Sequence, residues 1–173
     1  NTGEAFDMAA MARAGDAVGA YVGSDLAHAA GNLEQHLHDW DVDFACWCTY
    51  KYLNSGPGGT SGVFVHERFA QRPDLVRLAG WWGHDPAVRF QMKKGFQPMP
   101  GAAGWQLSNA QVFPMALHRA SLEIVDRAGG MAALRPKTEL LTARLESEIR
   151  GLGTATSPLD IPTPAHPAPP GRQ

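Results

Sequence analysis

"VDFACWCTYKYLNSGPGG", from Val42 to Gly59, decides how the chain is read. Its first nine residues are apolar on both faces, the pattern of an interior strand in a covered sheet rather than a half-solvated one. A lysine then sits between two tyrosines, just before a turn dense in Gly and Pro. Lysine ordinarily lays its stem along apolar groups and keeps its ammonium wet. Lys51, at the carboxyl end of such a strand, therefore reads as an amine delivered into the protein. Cys46 and Cys48 share the strand with one residue between them, so they point the same way without the geometry for a mutual bridge. They read as reduced thiols packed in a core, not as a disulfide or metal site.

Working outward, the order is α/β in the first part of the chain and helical in the second. "NTGEAFDMAAMARAGDA" reads as a loop and then a helix around Phe6 to Val18, with Asp7 as its cap. "GAYVGSDLAH" gives a short apolar strand ending at Asp25, and a polar crossover through "GNLEQHLHDWD" leads to the Val42–Thr49 strand. "TSGVFVHE" supplies a third strand. Residues 68–107 are irregular and rich in Gly, Pro and aromatics, too long for an idle connector. "QVFPMALHRASLEIVDRA" has helical spacing with Pro114 near its start. "MAALRPKTELLTARLESEI" repeats Leu134, Leu140, Leu141, Leu145 and Ile149 on one face, and Gly129 and Gly130 break the two helices. The Pro-rich remainder from Gly151 reads as a disordered tail. The corresponding division is 1–110, 111–150 and 151–173.

Composition sets the outer limits. With 173 residues, 44% hydrophobic content and a net charge of -2, nothing calls for nucleic acid or an anionic membrane as partner. The apolar runs fall far short of the roughly 20 residues a membrane span needs, and no basic, then apolar, leader opens the chain. A cytoplasmic address is the default expectation. The opening at Asn1, without a methionine or an upstream strand, reads as a piece of a longer domain.

Asp25 and Lys51 each close an apolar strand, and open α/β sheets bind ligands outside the carboxyl ends of their strands. An amine paired with a carboxylate suits pyridoxal phosphate, whose aldehyde needs a lysine and whose pyridine nitrogen needs an Asp to stay protonated. Glycines after Lys51 leave the backbone room to approach a ligand. A plain salt bridge between strand ends, or two unrelated surface charges, would give the same spacing.

Further blocks narrow this. "SDLAHAAGN", "DFACWCTYKYLNSGPGG", "GVFVHE", "AGWWGHD", "RFQM", "GWQLSN" and "ASLEI", in that order from about Thr2 to about Arg150, together resemble kynureninase. That family consists of pyridoxal-phosphate hydrolases of fold type I, the aminotransferase class. The resemblance implies part of the large cofactor-binding domain, a three-layer α/β arrangement of sheet and helices, followed by helices leading toward a small domain.

It also implies roles. Lys51 would hold the cofactor's aldehyde as a Schiff base and shuttle protons at the substrate carbon. Asp25 would pair with the pyridinium nitrogen, and His28 would line the pocket, although a hydrogen-bonded core histidine would look the same. Tyr50 would give its hydroxyl to the phosphate and relay a proton, whereas Tyr52 would face away and pack. Trp81 and Asn109 resemble positions that reach phosphate or substrate from a neighbouring subunit, making a homodimer; interface packing is the plainer account of Trp81. Ser108 and His84 are secondary candidates. The implied reaction is hydrolysis of the Cβ–Cγ bond of L-kynurenine or 3-hydroxykynurenine to an anthranilate and L-alanine, a step of tryptophan catabolism toward NAD.

The chain also departs from the family's pattern. The phosphate cup, a ring-stacking group and a carboxylate-clamping arginine would lie outside it, so the chain alone is expected to be inactive. Rival readings are a non-enzymatic remnant serving as a dimerisation piece, and another fold type I lyase such as a cysteine desulfurase. The latter would want a cysteine on a mobile loop, and both cysteines here precede the lysine on its strand.

Overall fold

The computed structural model describes residues 3–72, 74–154, 157 and 159–163. Two compact units divide the chain, one over 7–124 and one formed by the first six residues with 125–173.

In the first unit, helix α1 (Met8–Asp16) starts where the sequence places its cap: Asp7 Oδ1 accepts from the Ala10 amide at 2.8 Å. This bond satisfies one of the four free amides at a helix start. Three strands follow, β1 (Gly23–Asp25), β2 (Phe44–Cys48) and β3 (Ser61–Val65), in the sheet order β1-β2-β3. β1 runs parallel to β2, with Asp25 opposite Cys46, and β3 returns antiparallel, with Trp47 opposite Gly62. Gly62 lets the sheet close under the Trp47 indole, since a Cβ there would overlap the ring.

The expectation that β2 is covered on both faces is corrected. Ala45 and the flanking Val42 and Thr49 are buried, but Phe44 is 48% exposed and Cys46 is exposed as well. Alternation explains the difference: Phe44 and Cys46 share one pleat face with Asp25, and the core fills the other. Both cysteines are free thiols, and Cys46 is not packed in the core.

The core of the described residues is small, holding Ala12, Leu26, Val42, Ala45 and Phe69 beside the buried polar residues Ser24, Asp43, Thr49, Ser55 and His66. Buried polar groups need partners, and Asp43 has three. Its Oδ2 accepts from the Val22 amide at 2.6 Å, and its Oδ1 accepts from Arg68 Nε at 3.1 Å and from the Arg68 terminal nitrogen at 2.5 Å. The amino end of the sheet is held by this carboxylate. The irregular stretch after β3 contains short 3-10 turns at Glu67–Phe69, Arg89–Gln91 and Gly101–Trp105, the last lying against β3.

Helix α2 (Val112–Arg127) has Pro114 in its first turn, where a missing amide costs nothing. Helix α3 (Gly130–Leu152) begins at Gly130 after the cap residue Gly129, both at positive φ (73° and 92°), which is the break read from the sequence. Pro136 lies inside α3 and withholds an amide from its ladder. The Leu140, Leu141 and Leu145 stripe is exposed. The ion pairs Arg135–Glu139, Arg144–Glu148 and Glu146–Arg150 run along the same helix. Of the tail, Gly151 and Leu152 continue α3 and Thr154 bridges to Ser157, while residues 164–173 lie outside the described residues.

Candidate functional site at the carboxyl ends of β1 and β2

Asp25 is the last residue of β1, and Tyr50 and Lys51 follow β2 by two and three positions. Because these strands are neighbours and parallel, their carboxyl ends open on the same edge of the sheet. The turn after β1 is shaped by Asp25 itself, whose Oδ1 accepts from the Ala27 amide at 2.9 Å. The carboxylate is otherwise exposed, and its second oxygen has no hydrogen bond among the described residues. Two contacts tie this turn to the lysine turn. The Cys48 thiol donates to the Ala27 carbonyl at 3.8 Å, and the His28 ring meets the Tyr52 ring edge-on at 6.4 Å.

The second contact corrects the view of Tyr52 as a residue facing away from the site. Regular alternation ends at Cys48, and the bends and turn that follow swing the Tyr52 ring toward His28. His28 is exposed rather than a core histidine, and its carbonyl accepts from Asn32 Nδ2 at 3.2 Å. Tyr50 is 51% exposed. Lys51 is half-buried, and its Nζ lies 5.9 Å from the Tyr50 ring centroid.

Thr49, which the sequence reading passed over, closes this turn. It is fully buried, bonded through Oγ1 to the Thr60 carbonyl and 2.6 Å from Ser55 Oγ. A threonine and a serine flanking the lysine turn, just before the glycines, were the available signal. Beyond them Gly56 and Gly58 adopt φ of 81° and 73° with open space where a Cβ would stand. Amine and phenol thus stand on a turn that leads into open glycines, and carboxylate and imidazole on the turn joined to it, a donor set that fits an aldehyde-bearing pyridine phosphate.

Trp81 and Asn109 stand on segments separate from these turns and share no hydrogen bond or ring contact with them among the described residues. Trp81 meets Trp82 at 5.3 Å and Phe90 at 5.8 Å and is 48% exposed. Arg89 covers the Trp82 ring at 4.4 Å and bonds its carbonyl at 2.7 Å. Gly80 and Gly83 let this segment pack directly on the backbone of Gln106 and Leu107, which brings the exposed Asn109 segment alongside Trp81. His84 packs edge-on against Phe96 at 5.5 Å, and Ser108 offers its carbonyl to Gln106 Nε2 at 3.1 Å.

Comparison with known proteins finds relatives over most of the chain. Kynureninase of Myxococcus xanthus (strain DK1622) is 56% identical over 164 residues, covering 92% of this chain and 38% of the relative. The kynureninase of Xanthomonas oryzae pv. oryzae (strain PXO99A) is 57% identical over 166 residues, 96% of this chain. Over most of its length the chain is similar to kynureninases. The likeness extends to an animal kynureninase, that of Nematostella vectensis, at 56% identity over 145 residues. The chain spans about 38% of the length of the first of these kynureninases. No protein-family model matches it. By fold it is similar to an apo cysteine desulfurase from Thermococcus onnurineus NA1, with TM-score 0.57 and 16% identity over 84% of this chain. An alanine–glyoxylate aminotransferase from Nostoc sp. gives TM-score 0.50 and 19% identity over 79% of this chain. These likenesses concern the fold alone: the chain has the fold of part of a fold type I protein, 35% of each of those two chains. Among the described residues no helix is long and apolar enough to cross a membrane.

Proposed function

We propose that the chain is the segment of a pyridoxal-phosphate-dependent kynureninase that carries the cofactor-holding amine, Lys51, and the ring-facing carboxylate, Asp25. The observation that supports this most is the joint between the two turns: parallel neighbouring strands whose carboxyl ends are linked by Cys48 to Ala27 and by His28 to Tyr52. Bound there, the cofactor supplies an electron sink for hydrolytic cleavage of the Cβ–Cγ bond of L-kynurenine or 3-hydroxykynurenine to an anthranilate and L-alanine.

The chain's own residues have separate tasks. Lys51 Nζ holds the aldehyde carbon and, once released, takes a proton from the substrate's α-carbon and returns one. Asp25 keeps the proton on the pyridine nitrogen, and its free oxygen is the one available for that bond. Tyr50 donates its phenol proton to the phosphate and relays a proton, and His28 forms the wall beside the ring. Trp81 and Asn109, on their own adjoining segments, serve a second subunit's site in a homodimer. The exposed free thiol of Cys46 suits a reducing compartment, the cytoplasm. The position of both cysteines in or at the end of β2, not on a loop, argues against desulfurase chemistry.

The test is to mix the purified chain with pyridoxal 5'-phosphate, follow the visible absorbance band, reduce with borohydride and locate the modified residue by peptide mass spectrometry. Modification concentrated at Lys51 is expected, with loss of the band in Lys51→Ala. An unchanged band in that variant would sink the assignment.

A second reading, a binding-only dimerisation piece, is favoured by the exposed Phe44, Val63 and Trp81. A chain that self-associates in sedimentation experiments yet leaves Lys51 unmodified would favour it.

A further inference from the structure

Thr49 and Ser55 form a buried hydroxyl pair beneath the lysine turn, 0% and 2% exposed. The Thr49 hydroxyl has one proton, and the Thr60 carbonyl can only accept, so that proton goes to Thr60. Ser55 Oγ, 2.6 Å from Thr49 Oγ1, must then be the donor in the second bond. The Ser55 amide also donates to the Thr49 carbonyl at 3.1 Å, so side chains and backbone close the same ring. Gly59 completes the closure, since a Cβ there would overlap Ser55 Oγ.

The far side of the turn is pinned as well. Leu53 lies against Gly31, and its carbonyl accepts from Ser121 Oγ of α2 at 2.5 Å. Lys51 stands between these anchors, with its own carbonyl accepting from the Asn54 amide at 3.1 Å. Its backbone is thus fixed on both sides, while its side chain is held by no recorded hydrogen bond.

We infer that the Thr49–Ser55 pair is a positioning device for Lys51, setting where Nζ meets the aldehyde carbon of the cofactor. The inference rests on the assignment of Lys51 proposed above. Neither hydroxyl touches a reacting atom. In the step they serve, neutral Nζ adds to the aldehyde carbon, the carbonyl oxygen takes up the two amine protons and leaves as water, and a carbon–nitrogen double bond remains. No oxidant or reductant enters. What the pair supplies is orientation, the component of rate most sensitive to small displacements of a reacting group.

The experiment compares the chain with its Thr49→Val, Thr49→Ser and Ser55→Ala variants, each mixed with pyridoxal 5'-phosphate. Borohydride trapping and peptide mass spectrometry give the rate of labelling at Lys51 relative to Lys93 and Lys94, which serve as internal references. Amide hydrogen exchange of Tyr52–Ser55 is read against Val63 in β3. Thr49→Val is expected to slow labelling of Lys51 by about tenfold, the consequence of losing one net hydrogen bond, with protection lost in the turn and kept at Val63. Thr49→Ser restores the rate. Ser55→Ala keeps the Thr49 to Thr60 bond and falls between, which provides a test should Thr49→Val fail to fold. Labelling at the unaltered rate in Ser55→Ala and Thr49→Val, or no rescue by Thr49→Ser, overturns the proposal alone. Labelling of the unaltered chain at Lys51 no faster than at Lys93 and Lys94 overturns the cofactor assignment and the purpose of the pair together.

Discussion

The Cys48 thiol, at the end of β2, lies 3.8 Å from the carbonyl of Ala27, two residues beyond Asp25 on the neighbouring strand. It is a side-chain hydrogen bond between the two turns that bear the candidate amine and carboxylate. Cys48→Ala is expected to cost about 1 kcal/mol, the scale of one net hydrogen bond, and to weaken pyridoxal 5'-phosphate binding several-fold. Cys46→Ala, on the same strand but exposed, serves as the control. Urea unfolding and absorbance titration on both variants make the comparison; equal effects would remove the joint from the argument.

Asp25 both shapes its turn and presents a carboxylate. Asn at this position retains an Oδ1 that accepts from the Ala27 amide, as Asp25 does at 2.9 Å, but carries no charge. Asp25→Asn should therefore leave the unfolding midpoint within about 0.5 kcal/mol of the original while weakening cofactor binding at least about tenfold, the scale of one charge-assisted bond. A variant that binds as tightly as the original would show that the carboxylate has no part in holding the ring.

Asp43 and Arg68 should not be equivalent in mutagenesis. Removing the carboxylate strands the Val22 amide and takes two bonds from Arg68, which keeps its bonds to Asp41, whereas removing Arg68 leaves Asp43 its bond to Val22. Asp43→Ala is expected to cost about 2–3 kcal/mol and Arg68→Ala about 1, since the arginine side chain is 37% exposed and screened by solvent. Chemical denaturation of both variants decides the order, and the reverse ranking would refute it.

A pH dependence follows from His38. Its Nε2 is 3.2 Å from Glu67 Oε1 and its Nδ1 is 3.5 Å from Asp39 Oδ1, and these carboxylates, Glu67 foremost, hold the imidazole above its ordinary value of 6.5. A raised value means that the charged form is favoured on folding. The stabilisation is complete below pH 6.5 and is lost as pH rises through the folded-state value. Titration of the His38 ring by NMR should place its midpoint above 6.5 and show it falling in Glu67→Gln. An unshifted midpoint in that variant would assign the effect elsewhere.

Local signals were the legible ones. Asp7 as a cap, Pro114 in a first turn and Gly129–Gly130 as a break act through their own backbone or their nearest amides, so sequence exposes them. The lysine and aspartate strands were readable because each is a short apolar run with a charge at its end. Long-range facts were not. One-sided burial of β2 depends on what packs against each pleat face, and no alternation in "VDFACWCTY" announces it. The meeting of Tyr52 with His28 depends on how a turn leaves the strand, and the bond from Ser121 to Leu53 crosses most of the unit. The Thr49–Ser55 pair was within reach, because two hydroxyl residues on either side of the lysine turn stand close enough in sequence to bond one another.

The antiparallel return of β3 also implies an order of assembly. β2 and β3 share five paired positions across the connection Thr49–Thr60, and β1 and β2 share three across Leu26–Asp43. The two connections differ in closure cost by only about 0.4 kcal/mol, so the number of pairings decides which forms first. The hairpin is expected to assemble first and make the Lys51 turn as its own loop, with the strand bearing Asp25 docking afterwards onto an edge that already exists, an order that pulsed hydrogen exchange during refolding would check. Slowing that docking would leave a chain with its amine in place and its carboxylate still searching.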